Sequence, residues 1–307
     1  MLVKLAKVFG VLFLILVLML GILYILAPYL IKSRMARSEV KAEPGKYEGL
    51  NALPENGKVL FVTAHPDDLE FMAGGTIPKL LERGNDVYLA ILTNGGKQSY
   101  MPAFYSKRII KTRHDEQLII ARAEGLKHVF FFNYADGSLR YSDEALKKVE
   151  KIAKQVDVDC IFTFAPGSPD AWSGLRRAVS RNNKVYGGDG QAVQAGLEMD
   201  GDHSAAGQIG TEVAKRNSSI KSLYYFRAAN PNLIVDTSDT FDKKIDLLFM
   251  FTEFKYKKRM MRAMHEAWDG MTGKRIGVKY AEAFRKVNPR EAKPEVKGTG
   301  AAREITR

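Results

Sequence analysis

The chain has 307 residues, of which 46% are hydrophobic and 27% charged, and this composition excludes a wholly disordered or collagenous protein. Cys160 is the only cysteine, which excludes an intramolecular disulfide and a thiolate zinc cluster. The net charge of +12 comes mainly from residues 1–41 and 285–307, and no nucleic-acid-binding motif accompanies it, so we expect no nucleic-acid partner.

Residues 1–31 are predicted to form a single-pass membrane anchor. The 24 residues from Val8 to Ile31 carry no charge and are mostly Leu, Ile, Val and Phe. At ~1.5 Å rise per residue, a helix of this length crosses a hydrocarbon core of ~30 Å. A cleaved signal peptide is the alternative, but it has a shorter apolar core and a small-residue cleavage site that this segment does not supply. Lys and Arg residues are slightly more numerous after the segment than before it, which favours a cytoplasmic catalytic domain.

The rest of the chain is predicted to contain one catalytic domain. Residues 32–57 are polar, contain Pro and Gly, and are predicted to be a tether; residues 58–287 form the domain, and residues 288–307 a disordered tail. Short β-branched or aromatic runs in the domain predict strands at Val59–Ala64, Val87–Leu92, Val129–Phe132, Cys160–Phe164, Leu223–Phe226 and Leu233–Val235. Helical periodicity appears at Leu69–Arg83, Ser106–Glu124, Asp143–Gln155, Ser204–Arg216 and Thr240–Met264. The alternation predicts an α/β fold, a mostly parallel sheet with helices on both faces.

The most informative stretch is residues 59–70, where an apolar strand runs directly into His65, Pro66, Asp67 and Asp68. In parallel sheets the chemistry gathers beyond the carboxyl ends of the strands. Imidazole and carboxylate suit zinc, which in catalytic sites takes three protein ligands and keeps one open position. His203, before a helix that begins with small residues, is the best candidate for a third ligand. The alternative is that the Asp residues only cap helices, which does not explain His-Pro-Asp-Asp after a strand.

Six segments, in this order, resemble the LmbE-like/PIG-L family of zinc-dependent N-deacetylases. They are Ala-His-Pro-Asp-Asp-Leu-Glu (64–70), Ala-Gly-Gly-Thr-Ile (73–77), Leu-Thr-Asn-Gly-Gly (92–96), Arg-His-Asp-Glu-Gln (113–117), Tyr-Ala-Asp-Gly-Ser-Leu (134–139) and Asp-His-Ser-Ala-Ala-Gly (202–207). The resemblance covers residues 58–217 and implies a Rossmann-like fold. It also implies that His65, Asp68 and His203 bind zinc and that Asp67 is the general base.

One residue departs from the family pattern. The family often has His-x-x-His where this chain has Asp200-Gly201-Asp202-His203, and the earlier His usually stabilises the oxyanion and protonates the leaving amine. Asp200 stands in its place, and an ionised Asp would repel an oxyanion. Three alternatives stay open: Asp200 acts as a protonated acid, another side chain replaces it, or activity is impaired.

The resemblance predicts a membrane-anchored zinc N-deacetylase that acts on an N-acetylglucosaminyl conjugate, and the anchor favours a lipid-linked one. The alternatives are a metal-dependent hydrolase of another small substrate and a non-catalytic sugar- or lipid-binding protein. Several further residues have weaker assignments. His265 is a candidate replacement acid, and Glu70 is a candidate for supporting the metal ligands. Asp136 either lies in a strand-end loop near the substrate or only forms a turn in Ala-Asp-Gly. For the basic run Lys255–Arg262, a solvated helix face is favoured over a contact with the membrane. His114 and His128 are expected to be structural or solvated, and Trp172, Arg176 and Arg177 either contact substrate or lie in a surface loop.

Overall fold

The computed structural model describes residues 2–36, 42–43, 45–97, 107–166, 201–228, 230–255 and 257–292. Helix α1 (Leu2–Ala36) is the first element, and its stretch Phe9–Leu30 is exposed, with a mean hydropathy of 3.0. By length and composition this stretch can cross a membrane, and a signal sequence has the same properties.

A seven-stranded sheet forms the centre of the domain. Its strands are β1 (Lys58–Thr63), β2 (Asp86–Thr93), β3 (His128–Tyr134), β4 (Cys160–Phe164), β5 (Ser222–Phe226), β6 (Leu233–Asp236) and β7 (Ala281–Val287). The spatial order is β3-β2-β1-β4-β5-β7-β6. The first five strands are parallel, and β7 pairs antiparallel with both β5 and β6. The predicted α/β fold with a mostly parallel sheet is therefore confirmed.

Eight further helices are described within the domain. They are α2 (Asp68–Ala73), α3 (Thr76–Glu82), α4 (Lys107–Glu124), α5 (Asp143–Val156), α6 (Gly201–Arg216), α7 (Phe241–Leu248), α8 (Thr252–Lys255) and α9 (Lys258–Lys274). The main hydrophobic core lies between the sheet and helices such as α5 and α6, and the buried strands read as continuous apolar runs because both faces are covered. A second, smaller core joins α7, α8 and α9 through Phe241, Phe254 and Met261.

Two predicted helices are each divided in the structure. The pattern Leu69–Arg83 is interrupted at Gly74 and Gly75, where a Cβ on Gly74 would lie 2.5 Å from the carbonyl oxygen of Glu70. The pattern Thr240–Met264 contains three helices, α7, α8 and the first part of α9. Periodicity alone does not show such breaks, since the apolar residues on both sides face the same core.

The domain extends beyond the predicted boundaries at both ends. Within the segment predicted as a tether, Glu48 forms a bridge with Leu233 of β6, and Leu53 is buried in the main core. In the segment predicted as a tail, Arg290 donates to the carbonyl oxygens of Ala214 and Asn217 at the C-terminal end of α6. Residues 45–57 and 288–292 therefore pack on the domain, whereas residues 293–307 lie outside the described residues.

A buried ion network fixes α7 and α9 against the sheet. The Lys244 ammonium is almost fully buried and lies 2.9 Å from Asp269 and 2.7 Å from Glu282. Glu282, on β7, also accepts hydrogen bonds from the backbone amides of Gly75 and Thr76. These contacts hold the junction between α2 and α3, and α2 begins at the candidate site.

Candidate metal centre and active site

The candidate site lies at the carboxyl ends of neighbouring parallel strands. His65 follows β1 directly, Asp68 begins α2, and His203 lies in the first turn of α6, which packs on β4 and β1. Asp136 follows β3, which lies two strands away from β1. The strand-end placement expected from the sequence is what brings together residues that are up to 138 positions apart.

His65, Asp68 and His203 converge on one point. His65 Nδ1 lies 3.2 Å from His203 Nε2, and His203 Nε2 lies 3.1 Å from Asp68 Oδ1. The other Asp68 oxygen, Oδ2, lies 3.7 Å from His65 Nδ1 and accepts hydrogen bonds from the amides of Ala64 and His65. These bonds go back to the end of β1, so Asp68 does not serve as a simple helix cap.

The spacing of these ligand atoms fits a tetrahedral zinc ion. Zinc bound at 2.0–2.1 Å in a tetrahedron holds its ligand atoms about 3.3 Å apart. His203 Nε2 lies 3.2 Å from His65 Nδ1 and 3.1 Å from Asp68 Oδ1, both close to this value, and one ligand atom from each of the three residues lies within 4.8 Å of the other two. Two imidazole nitrogens and one carboxylate oxygen also form the donor set expected for a catalytic zinc with an open position. The three residues therefore could hold the metal.

Two carboxylates support the opposite side of the His65 ring. His65 Nε2 lies 3.3 Å from Asp136 Oδ1 and 3.3 Å from Asp202 Oδ2. Asp202 is fully buried and accepts hydrogen bonds from the amides of Gly137 and Leu139. His65, Asp136 and Asp202 could form a metal group themselves. We favour an orienting role for them, because the backbone amides already occupy Asp202 and carboxylates commonly bind the second nitrogen of a ligating His.

Asp67 pairs with a buried arginine beside the candidate ligands. Arg113 Nη2 lies 2.9 Å from Asp67 Oδ2, and the same guanidinium donates to the carbonyl oxygens of Pro66 and Gly95. Asp67 has a left-handed backbone, with φ of 90°, which few non-glycine residues adopt. Gly95 is required for this arrangement, since a Cβ there would lie 2.5 Å from Arg113 Nη1. The turn after β1 is thus held in shape by one arginine.

Charge and burial shift the pKa values of this cluster. Burial raises the pKa of Asp67 to about 6; Arg113 acts against the rise and Asp68 adds to it. Burial also acts on Asp68, but His203 and His65 outweigh it and lower its pKa to about 2. For His65, burial lowers the pKa, yet Asp136, Asp202 and Asp68 together raise it well above its usual value. So many carboxylates around two imidazoles favour a bound cation.

Hydrogen bonds connect the backbone of Asp67 to buried polar side chains on α4 and α2. The fully buried Gln117 accepts from the Asp67 amide through Oε1 and donates to Glu70 through Nε2, at 3.0 and 2.6 Å. Glu70 is also fully buried, and burial raises its pKa to about 7. Burial, followed by the charge of Glu70, raises the pKa of Glu124 well above its usual value. Gln117 thus links the backbone of Asp67 to a pair of buried carboxyls.

A second carboxyl shares Arg113 with Asp67. Glu253, on α8, has its Oε2 oxygen 3.5 Å from Arg113 Nη2. Burial and then the charge of Asp67 raise the pKa of Glu253 to about 8. Glu253 is therefore a neutral acid at pH 7, next to the residue expected to act as a base.

The remaining predicted residues are distributed as follows. Asp200, Trp172, Arg176 and Arg177 lie outside the described residues. His265 is fully buried against Phe71 and Trp268 rather than among the candidate ligands. His114 stacks on Phe131, and His128 is exposed at the start of β3.

The sequence analysis assigned no role to Arg113, Gln117 or Glu253. For α4 a signal was present: Arg113, Gln117 and Glu124 are spaced like the apolar residues Ile120 and Ala121 and are buried with them. Polar residues on the inward face of a helix indicate buried partners, because unpaired burial is costly. No comparable signal distinguishes Glu253 in its short helix.

Together, the sheet and this cluster define an α/β protein with a candidate metal centre at the carboxyl edge of its strands. Residues 60–171 match the family model of PIG-L, described as GlcNAc-PI de-N-acetylase. The diacetylchitobiose deacetylase of Thermococcus kodakarensis is 23% identical over 235 residues, covering 74% of this chain and 82% of that protein. A probable N-acetyl-alpha-D-glucosaminyl L-malate deacetylase 2 of Bacillus cereus is 33% identical over 113 residues, or 35% of this chain and 51% of that protein.

The structure of N,N'-diacetylchitobiose deacetylase from Pyrococcus horikoshii has the same fold, with a TM-score of 0.60 and 22% identity. The match covers 78% of this chain and 89% of that one. The family-model match to residues 60–171 and these similar proteins confirm the resemblance to the PIG-L (LmbE-like) family found in the sequence.

Proposed function

We propose that this protein is a membrane-anchored, zinc-dependent N-deacetylase. It hydrolyses the acetamide of an N-acetylglucosaminyl conjugate to acetate and a free amine. The observation that carries the proposal is the position of Asp67, which adjoins the candidate ligand Asp68 and is held by Arg113 at 2.9 Å. The names of the two curated relatives, both deacetylases of N-acetylglucosamine compounds, support the substrate class.

His65, Asp68 and His203 would hold the zinc. The ion supplies Lewis-acid polarisation of the acyl oxygen and lowers the pKa of water when bound. Asp67 takes the proton from the attacking water at its carboxylate, and Arg113 fixes the direction of that carboxylate. Asp136 and Asp202 orient the His65 ring through Nε2. Asp200 is proposed as the acid that protonates the leaving amine; Glu253, which lies 3.5 Å from Arg113 and has its pKa raised to about 8, is an alternative in the described part of the chain.

The membrane part of the proposal rests on α1. The stretch Phe9–Leu30 is exposed along its length and suits a hydrocarbon core of ~30 Å. An anchor raises the concentration of enzyme near a lipid-linked substrate, and it would add nothing for a freely diffusing one. We therefore propose a lipid-linked amino sugar as substrate and a catalytic domain on the cytoplasmic side.

The test is amine release from diacetylchitobiose by the detergent-solubilised full chain, with and without a chelator. We expect activity that is lost with the chelator and restored by zinc. Asp67→Asn should lower kcat by about 10²–10⁴-fold while zinc content stays unchanged, because Asn keeps the shape but cannot accept the proton. Asp143→Asn, on the exposed start of α5, is the matched control.

Three results would contradict parts of the proposal. Full zinc retention in His203→Ala would exclude His203 as a ligand. Wild-type kcat in zinc-loaded Asp67→Asn would exclude Asp67 as the base. No amine release by zinc-loaded protein from this compound, from N-acetylglucosaminyl malate or from a lipid-linked N-acetylglucosaminyl conjugate would favour a non-catalytic binding protein. Asp200→His should raise activity if Asp200 is a less effective acid than the His usual in the family. It should lower activity if the site keeps Asp200 protonated, so that Asp200 itself serves as the acid.

A further inference from the structure

One peptide group in the turn after β1 is held at both of its polar atoms. The carbonyl oxygen of Pro66 accepts a hydrogen bond from Arg113 Nη2 at 2.7 Å. The amide nitrogen of Asp67, in the same peptide group, donates to Gln117 Oε1 at 3.0 Å. Arg113 and Gln117 are four residues apart on α4, so their side chains leave the same face of that helix. Two neighbouring side chains of one helix therefore fix the plane of this peptide group.

The plane of the peptide group between Pro66 and Asp67 sets the backbone conformation of Asp67. If the peptide turned over, its C=O and N–H groups would exchange directions and φ of Asp67 would change with them. The observed φ of 90° is unfavourable for a residue with a Cβ, and it persists only where surrounding contacts hold it. The Asp67 side chain leaves this same backbone. The direction of its carboxylate consequently depends on the contact with Gln117 as well as on Arg113.

Glu70 determines which end of the Gln117 side-chain amide faces Asp67. Gln117 Nε2 donates to Glu70 Oε1 at 2.6 Å, and both side chains are fully buried. In the reversed orientation the NH₂ group of Gln117 would face the N–H group of Asp67. Two donors cannot bond to each other, and a buried donor without an acceptor is costly. The oxygen of Gln117 is thus directed at Asp67 by a second buried contact.

We infer that Gln117 is a positioning residue for the proposed reaction. It holds the backbone of Asp67 so that the carboxylate stays in one direction beside the candidate metal ligands. Gln117 acts through Asp67 rather than on the substrate. This inference rests on the proposed role of Asp67 as the general base and adds a residue that supports it. The alternative is that Gln117 only stabilises the fold, in which case its loss would affect all parts of the turn alike.

Hydrogen exchange in the detergent-solubilised full chain tests the contact directly. Gln117→Met keeps nearly the same size but removes the acceptor, so the Asp67 amide should exchange about tenfold faster than in the wild type. The amides of Ala64 and His65 lie beside it but donate to Asp68 Oδ2, so their exchange should change little. Mass spectrometry of overlapping peptides that cover residues 64–68 distinguishes these positions.

Turnover separates positioning from stability. In Gln117→Met, kcat for amine release from diacetylchitobiose should fall by about 10–100-fold, while KM and zinc content stay unchanged, because a small displacement of a base slows proton transfer. Asn85→Leu is the matched control. Asn85 is buried at the amino end of β2, the edge of the sheet opposite to the site, and its side chain bonds to three backbone groups. Its loss should lower Tm and leave kcat unchanged.

An exchange of the two buried side chains is a second variant, which serves also if Gln117→Met does not fold. In Gln117→Glu/Glu70→Gln, the carboxylate at position 117 accepts from the Asp67 amide with one oxygen and from the side-chain amide at position 70 with the other. Both hydrogen bonds and the number of carboxyl groups are kept. We expect slow exchange at Asp67 and a kcat well above that of Gln117→Met.

Four results would overturn the inference. They are unchanged exchange at Asp67 in folded Gln117→Met, equal acceleration at Ala64, His65 and Asp67, wild-type kcat in Gln117→Met, and fast exchange at Asp67 in the folded double variant. Equal acceleration would show that Gln117 only stabilises the fold. Selective fast exchange at Asp67 in a chain whose wild type releases no amine would support the role of Gln117 in holding Asp67. That result would contradict only the deacetylase assignment.

Discussion

Arg113 Nη2 lies 2.9 Å from Asp67 Oδ2, and both side chains are largely buried. The arginine comes from the middle of α4 and the aspartate from the turn after β1. A buried guanidinium that also binds two backbone carbonyls cannot easily leave its place, so it fixes the direction of the Asp67 carboxylate. The proposed base is thereby oriented by a residue that is not itself a metal ligand.

Arg113→Lys should therefore impair catalysis without removing the metal. A lysine keeps the charge but loses the planar fork that reaches Asp67, Pro66 and Gly95 together. We expect kcat to fall by about 10–100-fold, as is typical for residues that support a metal site, with zinc content unchanged. Amine release and metal analysis on the same samples check this. Arg122→Lys, exposed on the same helix, is the control, and equal activity of the two variants would contradict the orienting role.

Lys244→Met should strongly destabilise the domain. The substitution leaves Asp269 and Glu282 buried without their counter-charge, and breaking a buried pair in this way costs about 3–5 kcal/mol. Thermal unfolding should show a fall in Tm of roughly 10 °C. Lys79→Met is a matched control, because its partner Asp239 is mostly exposed and such a pair contributes about 0–1 kcal/mol. A similarly small fall in Tm for Lys244→Met and Lys79→Met would show that the buried ion network of Lys244 contributes little to stability.

Glu253→Gln should change how stability depends on pH. Glu253 has a pKa of about 8 in the folded protein, above its ordinary value of 4.5. Between these values the native state keeps a proton that the unfolded chain has lost, so wild-type stability falls as pH rises, by at most about 1.4 kcal/mol per pH unit. Gln at this position cannot ionise, so the variant does not lose this part of its stability as pH rises. Its Tm relative to wild type should consequently increase from about pH 5 to pH 8.

The control for this prediction is Glu82→Gln, since Glu82 is exposed on α3. The difference in Tm between this variant and wild type should not change with pH. A pH-independent difference for Glu253→Gln as well would show that Glu253 ionises normally in the folded protein.

Two N-terminal truncations should differ in stability. A chain beginning at Ala42 keeps the bridge from Glu48 to β6 and the buried Leu53, and we expect it to be soluble and to bind metal. A chain beginning at Lys58 exposes the edge of β6 and leaves a gap where Leu53 was packed. Uncovered edge strands promote association between molecules, so this chain should have a lower Tm and should aggregate on size-exclusion chromatography. Equal Tm values would show that residues 42–57 contribute nothing to the fold.

Local sequence predicted the parts of the site that follow one strand. His65, Asp67 and Asp68 are adjacent to the buried run of β1, so their place at a strand end could be read directly. The partners of these residues could not, because Arg113 and Asp136 reach the site only through the order of the strands in the sheet. Strand β7 was missed for a related reason. Its charged residues Glu282, Arg285 and Lys286 obscure the alternation of apolar and polar residues. The burial of Glu282 is explained by partners far away in sequence, which are Lys244 and the backbone amides of Gly75 and Thr76.

If α1 is the anchor proposed above, the docking of residues 45–57 on the domain also limits how far the candidate site can move from the membrane. A free connection of residues 32–57 could extend to about 90 Å, at up to ~3.5 Å per residue. Because α1 ends at Ala36 and the amide of Glu43 is hydrogen-bonded to the carbonyl oxygen of Arg275, these two points of the chain can lie at most about 25 Å apart. With so short a connection, the proposed membrane-anchored enzyme would stay in a thin layer above the bilayer, and it would meet a lipid-linked substrate by lateral diffusion in two dimensions.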